Sequence, residues 1–416
     1  MADQSEILII GGGAIGVCAA YYLTEAGRRV TLLERADICA GSSYGNAGWV
    51  AAGHIMPIPA PGLLTQGLKW LLDPGGPFYI KPRLDLDLIR WLWRFQQACT
   101  AQQVARVIPL FVALNRHSWR LFETLAARPD LDFGYQRRGL LHLFRDRAGL
   151  QKGLIEARHV RPHGLETAVL DGAGLRHLEP NLSPDVRYGI YYPEYAHLRP
   201  DQFVHALAEQ AQAGGAELRP GCEVIGFQTA GREIKTVRTT KGDFAADQVI
   251  LAAGAWSPLV TRELGLRLPV QAAKGYSLTF KRPAQGPGMP LSVPEYKVAI
   301  TPMGERLRMS STLELAGLDR SINHRRLAII RRAAQHYLLG SAEFELLETW
   351  RGFRPLTPDD LPIIGRSPNY ENLILATGHG MLGITYGPVT GQLVAQLAGG
   401  EEPLVDLEPF SPARFG

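Results

Sequence analysis

The chain has 416 residues, more than the ~250–300 at which a single hydrophobic core stops growing, so two domains are expected. With 46% hydrophobic and 20% charged residues it carries apolar material for sizeable cores, which excludes a disordered or fibrous protein. The formal net charge is +4 and no basic block is present, so no nucleic-acid partner is expected; four dispersed cysteines (Cys18, Cys39, Cys99, Cys222) show neither metal-ligand spacing nor a disulfide framework and fit a reducing cytoplasm.

Ile7 to Leu23 is uncharged, yet Asp3 and Glu6 precede it and Gly11, Gly12, Gly13 and Gly16 break it, so neither a signal peptide nor a membrane span is expected, and the chain is expected to start at or near Met1. Glu6–Ile10 reads as a β-branched strand running into glycines. The helix-period residues Ile15, Ala19, Tyr22, Leu23 and Ala26 follow, Gly27 stops that helix, and Arg29–Leu33 forms a second buried strand ending at Glu34. Within this βαβ unit each glycine of Gly11-x-Gly13-x-x-Gly16 has its own task. Gly11 permits the tight turn, Gly13 lets backbone approach a pyrophosphate, and Gly16 lets helix and strand pack closely. The helix start at Ala14 and Ile15 turns N–H groups and a partial positive charge toward the phosphates. Glu34 accepts hydrogen bonds from ribose hydroxyls and disfavours a 2′-phosphate, so NAD or FAD is expected rather than NADP; the alternative is a tight βα turn that holds no ligand.

Farther along, Ala40–Gly48 is a loop of small and hydroxyl residues suited to wrapping a polar ligand. Met56–Pro82 is rich in proline and glycine, Leu86–Phe95 is strongly apolar with Trp91 and Trp93, and helices continue to about Ala127. A helix containing Phe203, Leu207 and Ala211 is closed by Gly214-Gly215. Strands are expected at Ala216–Arg219 and Glu223–Gln228, with a meander through Ile234–Thr240. Gln248–Ala253, ending in Gly254, reads as a buried return to the nucleotide sheet. Alternation from Val270 to Ala316 predicts an antiparallel sheet, Asn323–Leu339 a helix, Asn372–Ala376 a last buried strand, and Gly383–Leu397 a closing helix.

Read in order, the fingerprint, Ser43–Gly48, Lys274-Gly-Tyr-Ser277, Ile300-Thr-Pro302, Gly352–Asp359, Pro362–Gly365 and Thr377–Gly380 resemble D-amino-acid oxidase-type flavoproteins, most closely the bacterial D-amino-acid dehydrogenases. The resemblance covers nearly the whole chain and is weakest over Leu63–Glu194. It implies an α/β (α+β overall) fold in which a Rossmann-like FAD-binding domain (1–55, 195–267 and 346–416) carries an inserted antiparallel-sheet substrate domain (56–194 and 268–345). FAD is expected, bound non-covalently, since no cysteine follows Cys222; a histidyl link through His54 is the alternative. The expected FAD contacts are Gly11, Gly13, Ala14, Ile15, Gly16, Glu34, Arg35, Ser42, Ser43, Asn46, Ala47, Gly48, Val224, Ala253, Gly254, Trp256, Gly380, Met381, Leu382, Gly383 and Ile384. The helix starting near Gly383 is expected to turn its N-terminus toward the pyrimidine end of the flavin.

By the same resemblance Arg354 holds the substrate carboxylate with two parallel hydrogen bonds; the alternative is an ion pair with Asp359 or Asp360. Met303 stands where some relatives carry a second arginine, which leaves Arg308 as a weak candidate for a second anchor. Tyr276 and Tyr296 are expected to meet the carboxylate or cover the amine, or else to be core aromatics. His54 and His379 fall in segments the family places near the flavin.

The implied reaction is oxidation of the Cα–N bond of a D-amino acid, or of a cyclic D-imino acid such as a D-proline derivative, by hydride transfer to flavin. The imine then hydrolyses to a 2-oxo acid and ammonia, or remains a cyclic imine if the substrate resembles proline. Alternatives are a glycine/sarcosine-type amine oxidase using oxygen, an NAD-dependent dehydrogenase, and an FAD-binding subunit of a larger oxidoreductase. A quinone or respiratory-chain component is the implied electron acceptor. A cytoplasmic protein is expected, with peripheral contact at the inner membrane face through Leu88, Trp91, Leu92 and Phe95 and the nearby Trp70–Leu72; a core helix is the alternative for that face.

Overall fold

The computed structural model describes residues 3–62 and 78–415. Strand Asp3–Ile10 sends Ile7 and Ile9 to one face and Leu8 and Ile10 to the other, and all four are buried. Apolar on both sides, it can sit only in the middle of a covered sheet. Five parallel strands run in the order Leu373–Thr377, Gly242–Leu251, Asp3–Ile10, Val30–Leu33, Glu217–Arg219. The antiparallel strands Val224–Ala230 and Glu233–Thr239 lead into Gly242–Leu251, and Ile363–Arg366 pairs with Leu373–Thr377. Helix Ala14–Glu25 covers one face together with Pro200–Ala213 and Gly387–Gly399. Its crossing with the last of these is close because Gly391 has no side chain: a Cβ there would stand 2.6 Å from the Cys18 backbone.

The second sheet is built around Gln271–Lys281, paired antiparallel with Arg306–Leu315 on one side and Leu346–Leu356 on the other. It continues through Val298–Met303, Leu291–Val293, Leu140–Phe144, Tyr188–Tyr192 and Ala168–Asp171. Helix His324–Tyr337 packs Leu327, Ile330, Ala333, Ala334 and Tyr337 against Tyr276, Leu278 and Phe280 on one face. Each of the larger aliphatic and phenyl side chains buried there contributes roughly 1.5–3 kcal/mol. The other face looks toward the ends of the parallel strands.

The structure moves three expectations. Leu346–Leu356, grouped from sequence with the FAD-binding part, pairs along Gln271–Lys281 in the second sheet. Helix Ala101–Ala126, grouped with the inserted part, packs Phe111 and Phe122 into cores shared with Tyr386, Val389 and Phe203, so the two parts interlock. The closing helix starts at Gly387 rather than Gly383. Pro388 fits only its first turn, and Leu382 to Tyr386 form a separate turn in which Tyr386 N–H donates to Leu382 O at 2.7 Å.

In helix Leu86–Ala98, Leu88, Trp91 and Phe95 are buried against Ala273, Leu315 and Leu356, and Leu92 packs beside them. That face belongs to the core, while Leu86, Ile89 and Trp93 point outward. Trp70–Leu72 lies outside the described residues. Among the described residues no helix is long and apolar enough to cross a membrane.

Candidate cofactor and substrate site

The carboxyl ends of all five parallel strands open onto one cavity of about 810 Å³, where an open α/β sheet characteristically binds its ligand. Ile10, Gly11 and Gly13, Leu33 to Ala36, Cys222 to Val224, Ala252 to Gly254 and Thr377 line it in turn. Gly11 takes φ +117°, and a Cβ on it would stand 2.5 Å from Ala252 O. Gly16 does not reach the cavity; a Cβ there would lie 1.9 Å from Gly11 O, so its bareness serves helix–strand contact, as its place in the fingerprint requires. Glu34 is held in place by the N–H groups of Gly12 (2.8 Å) and Ala36 (2.9 Å). The Arg35 guanidinium lies 3.9 Å from the centre of the Trp256 ring, and both residues line the cavity.

The small-residue loop is stitched to three walls. Ser43 Oγ accepts from Ala14 N–H at 2.9 Å, Ser42 Oγ accepts from Phe353 N–H at 3.2 Å and also donates to Phe353 O, and Asn46 Nδ2 donates to Met381 O at 3.3 Å. Gly48 (φ +70°) lies behind the wall, where a Cβ would strike Leu198 O at 2.3 Å, so it shapes the loop without lining the cavity. Gly380 to Ile384 line the opposite end, as part of a turn rather than a helix start. The continuous trough from Glu34 past the first helix terminus to this turn fits an extended dinucleotide. Cys222, the one cysteine lining it among the described residues, sits at the nucleotide end.

At the far end stand Arg354, Gly275, Ser310, Trp49, His54 and His379. Arg354 Nη1 donates to Thr312 O at 2.5 Å, and burial alone pushes the guanidinium down to about 10. Among the described residues no carboxylate pairs with it: Asp359 is taken by Arg414 at 2.8 Å, and Asp360 accepts from Ile58 N–H at 2.8 Å. A cation facing a cavity without a counter-charge is a site for an anion. Burial lowers His54 to about 4, with help from the Lys297 charge, and His379 to about 3. His379 Nε2 stands 3.0 Å from Thr390 Oγ1.

The tyrosines depart from expectation. Tyr276 borders the cavity, but its ring packs in the core behind the sheet and its hydroxyl donates to Glu314 (3.0 Å) and accepts from Asn323 N–H (3.2 Å). Tyr296 is not among the lining residues; its hydroxyl meets His336 Nδ1 at 2.7 Å. Arg308 does not reach the cavity either. It is buried and donates to Tyr44 O (2.5 Å) and Asn46 O (3.2 Å), clamping the loop from behind. Sequence reading passed over Trp49, Trp350, Gly275 and Ser310. Trp350 was within reach, since it shares a strand face with Gly352 and Arg354 at the two-residue period.

The family model described as FAD dependent oxidoreductase (DAO) matches residues 6–397. The chain is 33% identical to a D-amino acid dehydrogenase of Granulibacter bethesdensis and 34% identical to one of Methylobacterium radiotolerans, covering 99% of this chain and 99% of the relative in both cases. Among solved structures, glycine oxidase from Geobacillus kaustophilus superposes with a TM-score of 0.80 at 25% identity, covering 99% of each chain. L-proline dehydrogenase from P. horikoshii shares the fold at a TM-score of 0.76 and 21% identity, over 100% of this chain and 98% of that one. With a trough that suits the dinucleotide and a family match running almost end to end, the chain belongs to the DAO family of FAD-dependent oxidoreductases.

Proposed function

We propose that this enzyme oxidises the Cα–N bond of a D-amino acid, or of a cyclic D-imino acid such as a D-proline derivative. The imine of a primary amino acid is hydrolysed to a 2-oxo acid and ammonia, whereas a cyclic substrate leaves as a cyclic imine. The observation that carries the reading is Arg354, a guanidinium with no carboxylate partner among the described residues, at the end of the trough opposite the nucleotide fingerprint. FAD, held non-covalently, supplies the hydride acceptor when bound. Arg354 holds the carboxylate, neutralising its own charge and fixing the α-carbon. A substrate ammonium would add a second cation to a cavity that already disfavours the first, so the amine enters uncharged. His54 and His379, both neutral, add no charge beside Arg354. Among the described residues no nucleophile is needed, since the work is positioning.

Electrons leave to a quinone or another respiratory-chain component, and contact with the inner face of an anionic membrane is made through the outward Leu86, Ile89 and Trp93. Co-sedimentation with anionic vesicles is expected, weakened in Trp93→Ser; a parent protein left in the supernatant refutes the contact. The likeness to glycine oxidase supports a second reading, an oxygen-using amine oxidase acting on glycine or sarcosine.

The test is anaerobic mixing of the flavin-loaded protein with D-amino acids, D-proline derivatives, glycine and sarcosine while following absorbance near ~450 nm. Bleaching by D-substrates that Arg354→Ala slows by roughly 10²–10⁴-fold is the expected result. Reduction by glycine or sarcosine alone, with fast reoxidation by air, favours the second reading, and a flavoprotein that none of them reduces refutes both.

A further inference from the structure

We propose that Gly275 and Thr312 are positioning residues that together form the seat of the Arg354 guanidinium, and that the strained bulge at Thr312 is what builds it. The inference rests on the reading that Arg354 takes the substrate carboxylate.

Along the pair formed by Gln271–Lys281 and Arg306–Leu315, Lys274 faces Glu314 but Tyr276 faces Ser311. Thr312 and Leu313 therefore stand against the single residue Gly275, which is a β-bulge. Thr312 takes φ +67°, a left-handed conformation that β-branched residues rarely adopt. Its hydroxyl does not account for this, being buried with no hydrogen-bond partner among the described residues. Its carbonyl does: the bulge turns Thr312 O onto Arg354 Nη1 at 2.5 Å.

Gly275 supplies the floor. A Cβ there would lie 2.3 Å from Nη1, 2.6 Å from Cζ and 2.7 Å from Nη2 of Arg354, so the guanidinium rests flat against the bare α-carbon. Its cross-strand partner Gly352 is also bare, and a Cβ on it would meet the Trp350 ring at 2.0 Å. Two facing glycines thus leave a depression in the sheet, filled from one end by an indole and from the other by the guanidinium, both lining the cavity.

Relaxation of the bulge is blocked at both ends. Ser311 Oγ donates to Lys297 O at 3.0 Å, and Glu314 receives the Tyr276 hydroxyl at 3.0 Å and stands 3.7 Å from the buried cations of Lys274 and Arg326. One N–H of Arg354 is thereby fixed on the protein and the plane is set before substrate arrives, which is the condition for a bidentate grip on a carboxylate.

The test compares Gly275→Ala, Thr312→Pro and Thr312→Asn in the flavin-loaded enzyme, with Gly275→Ala repeated in an Arg354→Ala background. For the best reducing substrate, Gly275→Ala and Thr312→Pro should raise KM roughly 10- to 100-fold, the worth of a charge-assisted hydrogen bond, with FAD content unchanged. Thr312→Asn, which tolerates positive φ, should keep KM within about twofold. If both residues act only through Arg354, Gly275→Ala changes kcat/KM by less than about twofold once Arg354 is gone. A folded, flavin-loaded Gly275→Ala enzyme with parental KM overturns the proposal, as does an undiminished effect in the Arg354→Ala background; should Thr312→Pro fail to fold, Gly275→Ala decides. If Arg354→Ala itself leaves KM unchanged, the carboxylate reading has failed; if it raises KM and Gly275→Ala does not, the seat alone has failed.

Discussion

Arg354→Met separates a substrate anchor from a structural arginine because the two roles predict opposite pairings of stability and activity. As an anchor, Arg354 makes two charge-assisted hydrogen bonds to the carboxylate, at about 1.5–3 kcal/mol each. Losing both costs about 3–6 kcal/mol of transition-state binding, a fall in kcat/KM of roughly 10²–10⁴-fold. In the free protein the same change removes a cation that burial disfavours. The drop from 12.5 to about 10 corresponds to at most about 3 kcal/mol, less where cavity water reaches the head group. Against this gain stands the orphaned Thr312 carbonyl, a loss of about 1–3 kcal/mol. The two nearly cancel, so the melting temperature should move little, whereas breaking a buried ion pair would cost about 3–5 kcal/mol. Thermal melts of the flavin-loaded protein and anaerobic reduction kinetics measure both sides. A variant that melts several degrees lower while keeping its kcat/KM refutes the reasoning.

Two buried groups give pH predictions of opposite sign. Burial holds His379 at about 3, so below the ordinary 6.5 the unfolded chain takes up a proton that the folded one refuses, and stability falls with pH. Between pH 6.5 and 4.5 this amounts to about 2 kcal/mol, which His379→Gln should remove in urea denaturation; equal losses in both proteins would sink the idea. Asp360 is raised to about 7 by burial and by the neighbouring Asp359 charge, so stability falls as pH rises from about 4 to 7. Asp360→Asn stays neutral, tolerates the φ of +64°, and can still accept from Ile58 N–H. It should match the parent below pH 4 and exceed it at pH 8 by up to about 4 kcal/mol; matching denaturation curves at pH 8 would show that Asp360 is not held protonated.

The nucleotide end was legible because its chemistry is written in backbone. A tight strand-to-helix turn needs bare backbone at fixed offsets, and the structure shows that need at Gly11, with its positive φ, and at Gly16, where a Cβ would strike Gly11 O. The buried strands were legible for a similar reason: Val30–Leu33 and Leu373–Thr377 are apolar on both faces and have no other place to go. Arg354 was found by resemblance, but its surroundings were not, because a bulge is invisible in an alternating pattern until the partner strand is known. Tyr276 shows the cost. One extra residue in Arg306–Leu315 decides which neighbours its ring meets, and the hydroxyl finds Glu314 behind the sheet instead of a ligand. The closing helix was displaced by a single proline, whose ring fits the first turn.

Strain gathers where local preference was overruled. Four described residues other than glycine take positive φ: Cys39, Lys297, Thr312 and Asp360. Cys39 N–H donates to Gly12 O and holds the fingerprint loop, Lys297 presses its charge on His54, Thr312 seats Arg354, and Asp360 lies against Gly380 in the turn at the far end. Three of them lie in turns or bends; Thr312 alone stands inside a strand, where its carbonyl meets the cavity-lining Arg354. For a β-branched residue held within a sheet that conformation costs about 1–3 kcal/mol. Thr312 thus marks a segment whose geometry is held against local preference, and it extends the candidate site beyond its lining residues to the bulge that meets Arg354.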